Sequence, residues 1–314
     1  MYASGRTGWY EHNLYPLRYN KCVADLTETI TGDNIIWARS AWAGSQRYPL
    51  HWGGDAENTD SAMAATLRAG LSFGLCGFTY WSHDAGGFVE KAPRDLYRRW
   101  LPFAALSSQV RCHGAPPREP WEYDEEFTDD FRRAMNMRYA LLPYIYAQAK
   151  ASSEAGHPMI RALFFEFPDD PASWLVEDEY MLGSDLLVAP LFEESTKRNV
   201  YLPPGRWIDY QSGDTYDGAR WHEIEAGPVP IVVLVRDGAA IPHAKVAQST
   251  DAVDWQNIEL RVFATNGQPA TGAFALPDGN VVRLELLPGA DGDYELASSP
   301  LGDDVQWRIV RFGQ

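Results

Sequence analysis

The sequence has little of what marks disulfide-stabilised, membrane or nucleic-acid-binding proteins. Its three cysteines, Cys22, Cys76 and Cys112, are far apart, so neither a disulfide framework nor a CxxC metal site is suggested and a reducing compartment is favoured. No apolar run approaches the ~20 residues that cross a bilayer. The first ten residues show no basic segment followed by an apolar one. We therefore predict a cytoplasmic protein that does not insert into membranes.

Positive charge is also scarce. The chain carries 43 Asp and Glu against 27 Lys and Arg, a formal charge of −16, which repels phosphate backbones. We predict no nucleic-acid partner and favour an uncharged ligand. The 12 tryptophans and 16 tyrosines in 314 residues can stack on the C–H faces of sugar rings, although aromatic residues also simply fill cores.

The first half of the chain alternates short apolar runs with helical patterns. Such alternation predicts parallel βα units, in either a TIM barrel or a doubly wound sheet. The predicted strands are Asn34–Ser40, Tyr48–Trp52, Cys76–Trp81 and a weaker one at Ser107–Cys112. Asp60 or Ser61 is expected to cap the helix after the second strand. A long helix from Thr128 to Ala155, kinked by Pro143, is expected to follow the fourth.

Polar residues follow all four predicted strands. Arg39, Asp55, Asp84 and His113 stand at or just past the C-terminal ends, where a TIM barrel assembles its active site. A dinucleotide-binding sheet would show a GxGxxG turn after its first strand, and none is present. We therefore predict a TIM barrel. Four units are half of a barrel, which needs ~250 residues, so we expect the N-terminal half to be missing.

From Gly156 onwards the pattern changes to short strands broken by Gly, Pro and Asp, which predicts β-sandwich structure. We predict three domains: a half barrel at 1–156, a proximal β-sandwich at 157–243 and a distal β domain, possibly incomplete, at 244–314. The fold class is thus α/β plus all-β. The predicted strands are Met159–Phe167, Leu186–Phe192, Asn199–Leu202, Arg206–Tyr210, Val229–Val235, Ile258–Ala264, Val281–Leu287 and Trp307–Phe312.

Two carboxylates are the first candidates for chemistry. Asp55 follows Gly53 and Gly54, which let the backbone approach a ligand closely, so it can act as a general acid, or else cap the following helix or hold a turn. Asp84, after the next strand, can be the nucleophile that pairs with Asp55 in glycoside hydrolysis, or can only bind substrate hydroxyls. The spacing leaves both alternatives open.

Other chemistries have less support. His83 and His113 lack a compact ligand motif such as HExxH, so we predict no metal and no cofactor. Ser40, Ser82 and Ser107 do not lie in GxSxG turns, so a serine hydrolase is not favoured. Arg39 can donate to a sugar oxygen or orient a carboxylate.

Four segments together resemble glycoside hydrolase family 31, the retaining α-glycosidases that include α-glucosidases and α-xylosidases. They are Trp37–Ser40, His51–Asp55, Gly77–Phe88 and Arg111–Gly114, in matching order and at matching intervals. The resemblance covers about residues 1 to 240. Supporting matches are Leu142–Tyr144, Met181–Asp185, Val188–Pro190 and Tyr201–Trp207.

The resemblance assigns roles to individual residues. It implies that Asp55 is the general acid/base and that the non-reducing terminal sugar is bound by Arg39, Trp52, Trp81, Asp84 and His113. Asp84 thereby becomes a binding residue instead of the nucleophile. The family's nucleophile is an Asp on an earlier barrel strand, and no Asp of this chain aligns with it.

We therefore expect a C-terminal fragment of an exo-acting α-glycosidase that releases terminal α-linked xylose or glucose, and we expect it to be inactive alone. The Trp42–Pro49 run and the His51-Trp52 pair resemble the α-xylosidase branch of the family most, so we expect an α-xylosidase. The alternatives are an α-transglycosidase and a non-catalytic carbohydrate-binding or structural protein. The expected partner is an oligosaccharide or α-glycoside, and the full-length protein can be a homo-oligomer.

Overall fold

The computed structural model describes residues 1–265, 267–289, 292–298, 301 and 304–312. The helices are α1 (Gly8–Glu11), α2 (Leu14–Thr31), α3 (Asp60–Leu75), α4 (Arg94–Ala105), α5 (Glu125–Ala140), α6 (Leu142–Ala155) and α7 (Leu163–Glu166). The strands are β1 (His51–Trp52), β2 (Trp81–Ser82), β3 (Ile160–Arg161), β4 (Tyr180–Leu182), β5 (Leu186–Pro190), β6 (Lys197–Leu202), β7 (Arg206–Asp209), β8 (Thr215–Asp217), β9 (Arg220–Glu225), β10 (Ile231–Arg236), β11 (Ala239–Ala244), β12 (Asn257–Phe263), β13 (Ala270–Ala275), β14 (Val281–Pro288), β15 (Tyr294–Leu296) and β16 (Gln306–Arg311).

The first 124 residues form parallel βα units. Ala38 pairs with His51, β1 pairs with β2, and Asp84 pairs with Arg111, all in parallel. Helices α3 and α4 connect successive segments, as in a barrel. The predicted partial TIM barrel is therefore confirmed.

The barrel strands are shorter than predicted. The runs at 34–40 and 107–112 contribute only the isolated bridges at Ala38 and Arg111. Side chains replace part of the backbone ladder: the Ser108 hydroxyl accepts the Trp81 N–H at 3.1 Å, and the Gln109 side-chain amide donates to the His51 carbonyl at 3.1 Å. Hydrophobic patterns do not reveal such bonds, so they overestimated the strands.

Two other predictions were wrong in detail. The helix predicted from Thr128 to Ala155 is two helices, α5 and α6, because Pro143 lacks an N–H and lies in the first turn of α6. The strand predicted over Met159–Phe167 is a strand only at β3 and continues as helix α7. A short unbroken apolar run cannot be assigned to helix or strand by periodicity.

The second half of the molecule is rich in β structure, as predicted. One sheet has the strand order β3-β4-β5-β10-β7-β8, and β6 pairs with β9 beside it. Strands β5 and β10 form its centre and are antiparallel from Leu186 opposite Val235 to Pro190 opposite Ile231. Every residue of β5 is buried, so this ladder lies within the core.

A second sheet has the order β15-β14-β13-β11-β12-β16. Strand β11, which lies at the predicted boundary between residues 243 and 244, pairs antiparallel with β12 of this sheet. Helix α6 packs against β11 and β13. The predicted domain boundaries stay predictions.

The two parts are joined by backbone hydrogen bonds at Met159. Its N–H donates to the carbonyl of Thr79 in the barrel at 3.0 Å, and its carbonyl accepts the N–H of Gly183 in the β-rich part at 2.9 Å. Elsewhere, helix α2 presents apolar side chains such as Leu26 and Ile30 to solvent. Within the described ranges, no helix is long and apolar enough to cross a membrane.

Candidate active site

Asp55 lies in the turn after β1, with its side chain 40% exposed. Arg39 from the preceding segment places Nη1 3.3 Å from Asp55 Oδ2. Gly54 makes this approach possible, because it has a φ of +81° and a Cβ there would lie 2.4 Å from Arg39 Nε. Arg39 and the accessible carboxylate of Asp55 therefore form an exposed ion pair.

Asp55 does not cap the following helix. The cap of α3 is Thr59, whose hydroxyl accepts the N–H of Ala62 at 3.1 Å. The sequence-based assignment of this cap to Asp60 or Ser61 was therefore wrong. Asp60 instead accepts a hydrogen bond from the buried Arg99 at 2.8 Å. The helix-cap alternative for Asp55 is therefore excluded, and its role in catalysis stays a prediction.

Asp84 follows β2, the neighbour of β1, and is completely buried. Its Oδ1 accepts a hydrogen bond from Arg111 Nε at 2.8 Å. Among the described residues its Oδ2 has no hydrogen-bond partner. Because buried polar atoms are nearly always paired, a free carboxylate oxygen indicates a place for a ligand donor.

Arg111 was not among the predicted site residues, although it begins the Arg111–Gly114 motif. Its guanidinium carbon lies 4.4 Å from the ring centre of Trp52 and 5.5 Å from that of Trp37. One side chain therefore connects the buried carboxylate to two aromatic rings. No local sequence signal identifies this role, because the partners are 27 to 74 positions away.

Asn58 was also missed. Its side-chain amide donates to the Gly86 carbonyl at 2.5 Å and accepts the Glu90 N–H at 2.6 Å. The N–H of Phe88 donates to the carbonyl of Ala56 at 2.8 Å. Gly87 permits this close contact, since a Cβ there would lie 2.7 Å from the Glu57 carbonyl oxygen. The loop that carries Asp55 is thus fixed to the loop that follows Asp84.

The third loop carries His113 and is fixed to the same place. The buried guanidinium of Arg118 donates to the Gly87 carbonyl at 2.8 Å and also to that of Glu90. The exposed ring of His113 lies 5.4 Å from the ring of Phe88, centre to centre. Loops from three strand ends therefore meet, as the distribution of polar residues predicted.

Trp81 lies against helix α3. A Cβ on Gly70 would come within 1.8 Å of the Trp81 ring, so the ring occupies the space that this glycine leaves free. Trp81, Trp52, Arg39 and Asp55 all line a cavity of about 460 Å³ that extends along α3. The predicted sugar-binding role of Trp81 stays a prediction.

His83 is part of the core. Its Nδ1 accepts the indole N–H of Trp100 at 2.9 Å, its Nε2 is 3.3 Å from the Ser107 hydroxyl, and burial lowers its pKa to about 3. Of the residues that the structure describes, no three or more His, Cys, Asp or Glu side chains are placed to hold a metal.

Comparisons with known proteins agree on one family. The model described as "Glycosyl hydrolases family 31 TIM-barrel domain" matches residues 3–148, and "Glycosyl hydrolase family 31 C-terminal domain" matches residues 156–241. An α-xylosidase of Emericella nidulans is 40% identical over 290 residues, which are 88% of this chain and 35% of that protein.

Other relatives act differently. An isomaltosyltransferase of Sporosarcina globispora is 32% identical over 83% of this chain and 26% of its own length. The solved structure of a family 31 dextranase from Flavobacterium johnsoniae, in complex with isomaltotriose, superposes with a TM-score of 0.83 at 26% identity and covers 91% of this chain and 38% of its own. The chain thus spans about a third of the length of such relatives.

Proposed function

Because this chain belongs to glycosyl hydrolase family 31, we propose that it forms the acid/base and sugar-binding part of a retaining, exo-acting α-glycosidase. The observation that carries the proposal is the pair of carboxylates at neighbouring strand ends. Asp55 is accessible, while Asp84 is buried and has one oxygen that no described residue hydrogen-bonds. The chain spans about a third of its relatives, so the activity is proposed for a protein that contains it.

Asp55 is assigned the proton transfers. Its exposed carboxyl protonates the leaving glycosidic oxygen and, as a carboxylate, then takes a proton from the attacking water. Arg39, 3.3 Å away, holds its orientation. A retaining mechanism also needs a carboxylate nucleophile ~5–5.5 Å from the acid. We assign this role to no residue of the chain, and we expect no turnover from the chain alone.

The sugar is assigned to the face made by Asp84, Arg39, Trp52, Trp81 and His113. Asp84 Oδ2 accepts a hydrogen bond from a ring hydroxyl, because it is buried and has a free lone pair. Trp52 supplies an aromatic face of the kind that stacks on sugars. We propose a terminal α-linked xylose as the preferred sugar, with glucose second, and the α-xylosidase relative supports this order.

The test combines calorimetric titration with an activity assay. Methyl α-xyloside and methyl α-glucoside should bind the purified chain, with xyloside tighter, and Asp84→Asn should abolish binding. Hydrolysis of p-nitrophenyl α-xyloside should be absent. Turnover that Asp55→Asn removes would contradict the assignment of the nucleophile outside the chain, and absence of binding would contradict the sugar site.

An α-transglycosidase is the second candidate, and the isomaltosyltransferase relative supports it. The two chemistries differ only in the acceptor that resolves the intermediate, water or a sugar hydroxyl. In an active protein that contains this chain, product analysis at rising acceptor sugar concentration distinguishes them. A transglycosidase gives mainly transfer product, whereas a hydrolase gives mainly free xylose or glucose.

A further inference from the structure

Arg111 makes three contacts with one guanidinium group. Its Nε donates to Asp84 Oδ1 at 2.8 Å. Its guanidinium carbon lies 4.4 Å from the ring centre of Trp52 and 5.5 Å from that of Trp37. Asp84 is completely buried and the Arg111 side chain is 25% exposed, so the pair lies at the border between interior and solvent.

These contacts require arginine. A guanidinium can donate a hydrogen bond in its plane through Nε while its face stacks on an aromatic ring. An ammonium group supplies the charge as a point, without a planar face. Arg111 can therefore hold Asp84 and Trp52 at the same time, whereas lysine can neutralise Asp84 but cannot fix the ring.

Backbone pairing holds Arg111 beside Asp84. Asp84 and Arg111 are paired in a parallel bridge, and the N–H of Ala85 donates to the Arg111 carbonyl at 3.1 Å. Of the two carboxylate oxygens of Asp84, Arg111 contacts one, and the other has no hydrogen-bond partner in the part of the chain that the structure describes. A carboxylate held in this way can present one lone pair in a fixed direction.

We propose that Arg111 is a positioning residue of the sugar subsite: it fixes the free oxygen of Asp84 and the ring of Trp52 relative to each other, and thereby determines which ring hydroxyl pattern is accepted. The proposal rests on the proposed function for its ligand. Arg111 acts through Asp84 and Trp52, without contact to the sugar.

The chain contains a matched control. Arg98 donates through Nε to Asp130 at 2.8 Å, with side-chain exposures of 32% and 3%, against 25% and 0% for the Arg111 pair. This pair joins α4 to α5, away from the three loops. Asp130 also accepts a hydrogen bond from Arg133, so it keeps one partner when Arg98 is replaced.

The first measurement needs no sugar. The indole N–H resonances of Trp52 and Trp100 are assigned in a ¹⁵N NMR spectrum by their loss in Trp52→Phe and Trp100→Phe. Arg111→Gln and Arg111→Lys should both shift the Trp52 resonance and leave that of Trp100, whose indole is bonded to His83, in place. Arg98→Gln should move neither. An unmoved Trp52 resonance in both Arg111 variants would overturn the proposal.

The second measurement is the affinity for methyl α-xyloside and methyl α-glucoside. Arg111→Gln should weaken binding of the preferred sugar at least tenfold and reduce the ratio between the two sugars, while Arg98→Gln keeps both. Full restoration of affinity and of the Trp52 resonance by Arg111→Lys would overturn the role of the stacked plane. If the unmodified chain binds neither sugar, the proposed function fails, whereas the positioning of Trp52 is still decided by the NMR result.

Discussion

The β5–β10 ladder and the β1–β2 pair lie at the centres of the two parts of the molecule, but they differ in length and in what surrounds them. The ladder has five paired positions and is surrounded by apolar side chains, whereas the pair has two and leads into the loops of Asp55 and Asp84. The regular part is filled by its own side chains. The barrel part has the buried Asp84, whose Oδ2 has no hydrogen-bond partner among the described residues, next to the exposed loop of Asp55.

Two buried carboxyl groups show the same contrast. In the β-rich part, Glu179 is fully buried and accepts the N–H of Tyr201 at 3.1 Å. Its Oε2 has no hydrogen-bond partner among the described residues, and burial raises its pKa well above the ordinary value. In the barrel part, Asp84 is equally buried but has Arg111 as an ion-pair partner. Burial of a carboxyl group therefore does not by itself mark a binding site. A charged partner beside a free oxygen is the more specific feature.

Leu234→Ala should have the largest effect. Leu234 is fully buried in β10, and such a truncation costs about 2–5 kcal/mol of unfolding free energy through lost burial and a cavity. Chemical denaturation measures the loss, with Leu175→Ala, at an 85% exposed position, as the neutral control. A loss below that of a surface substitution would mean that the ladder is not the stabilising centre.

Gly70→Ala should disturb the barrel part alone. The new Cβ would lie 1.8 Å from the Trp81 ring, so we expect a cost of about 3 kcal/mol from overpacking. Hydrogen exchange should accelerate at the amides of α3 and β2 but not at those of β5 and β10. Gly8→Ala, which meets nothing within 4 Å, is the control. Equal acceleration in both parts would show that they unfold as one unit.

Lowering the pH should destabilise the barrel part more than the β-rich part. Burial lowers the pKa of His83 to about 3 and that of His51 to about 4, both in the barrel part, from 6.5. Below pH 6.5 His83 is protonated in the unfolded chain but stays neutral in the folded one. Its contribution to the free energy of unfolding is therefore complete above pH 6.5 and falls by about 1.4 kcal/mol per pH unit towards pH 3.

In the β-rich part, the raised pKa of Glu179 increases the free energy of unfolding as the pH falls, because the folded state binds this proton before the unfolded state does. His243, with a pKa lowered to about 3, partly offsets this. Hydrogen exchange measured from pH 7 to about 5 and corrected for the intrinsic rate should therefore show the barrel part opening first. Simultaneous opening, or first opening of the β-rich part, would contradict the assignment.

Asn58→Asp should have the smallest effect. The change removes the donor to the Gly86 carbonyl while preserving shape, so we expect a loss of about 1 kcal/mol in unfolding free energy. Sugar affinity should fall severalfold, because the loop of Asp55 loses one attachment to the loop after Asp84. Asn280→Asp, in an exposed turn of the β-rich part, serves as the control. Unchanged affinity would show that the attachment between the two loops does not affect sugar binding.

The sequence predicted the arrangement of the site better than its details. Strand ends carrying Arg39, Asp55, Asp84 and His113 follow from the alternation of strands and helices, because parallel strands end at one edge. Strand lengths did not follow, since side chains such as Ser108 and Gln109 replace ladder bonds.

The contacts between distant loops could not be predicted from the sequence either. The side chains of Asn58 and Arg111 contact partners between 27 and 74 positions away, and the neighbouring sequence does not show which residues these are. The assignment of the cap of α3 to Asp60 or Ser61 instead of Thr59 was a smaller error, because all three residue types cap helices well.

Met159 has a mechanical consequence. Its N–H is bonded to Thr79 of the barrel and its carbonyl to the N–H of Gly183 in the β-rich part, so a force that pulls the two parts from each other loads both bonds at one residue. Because Met159 is hydrogen-bonded to both parts, we expect it not to act as a hinge. A protease should therefore cut the exposed Gly156 in preference to Met159.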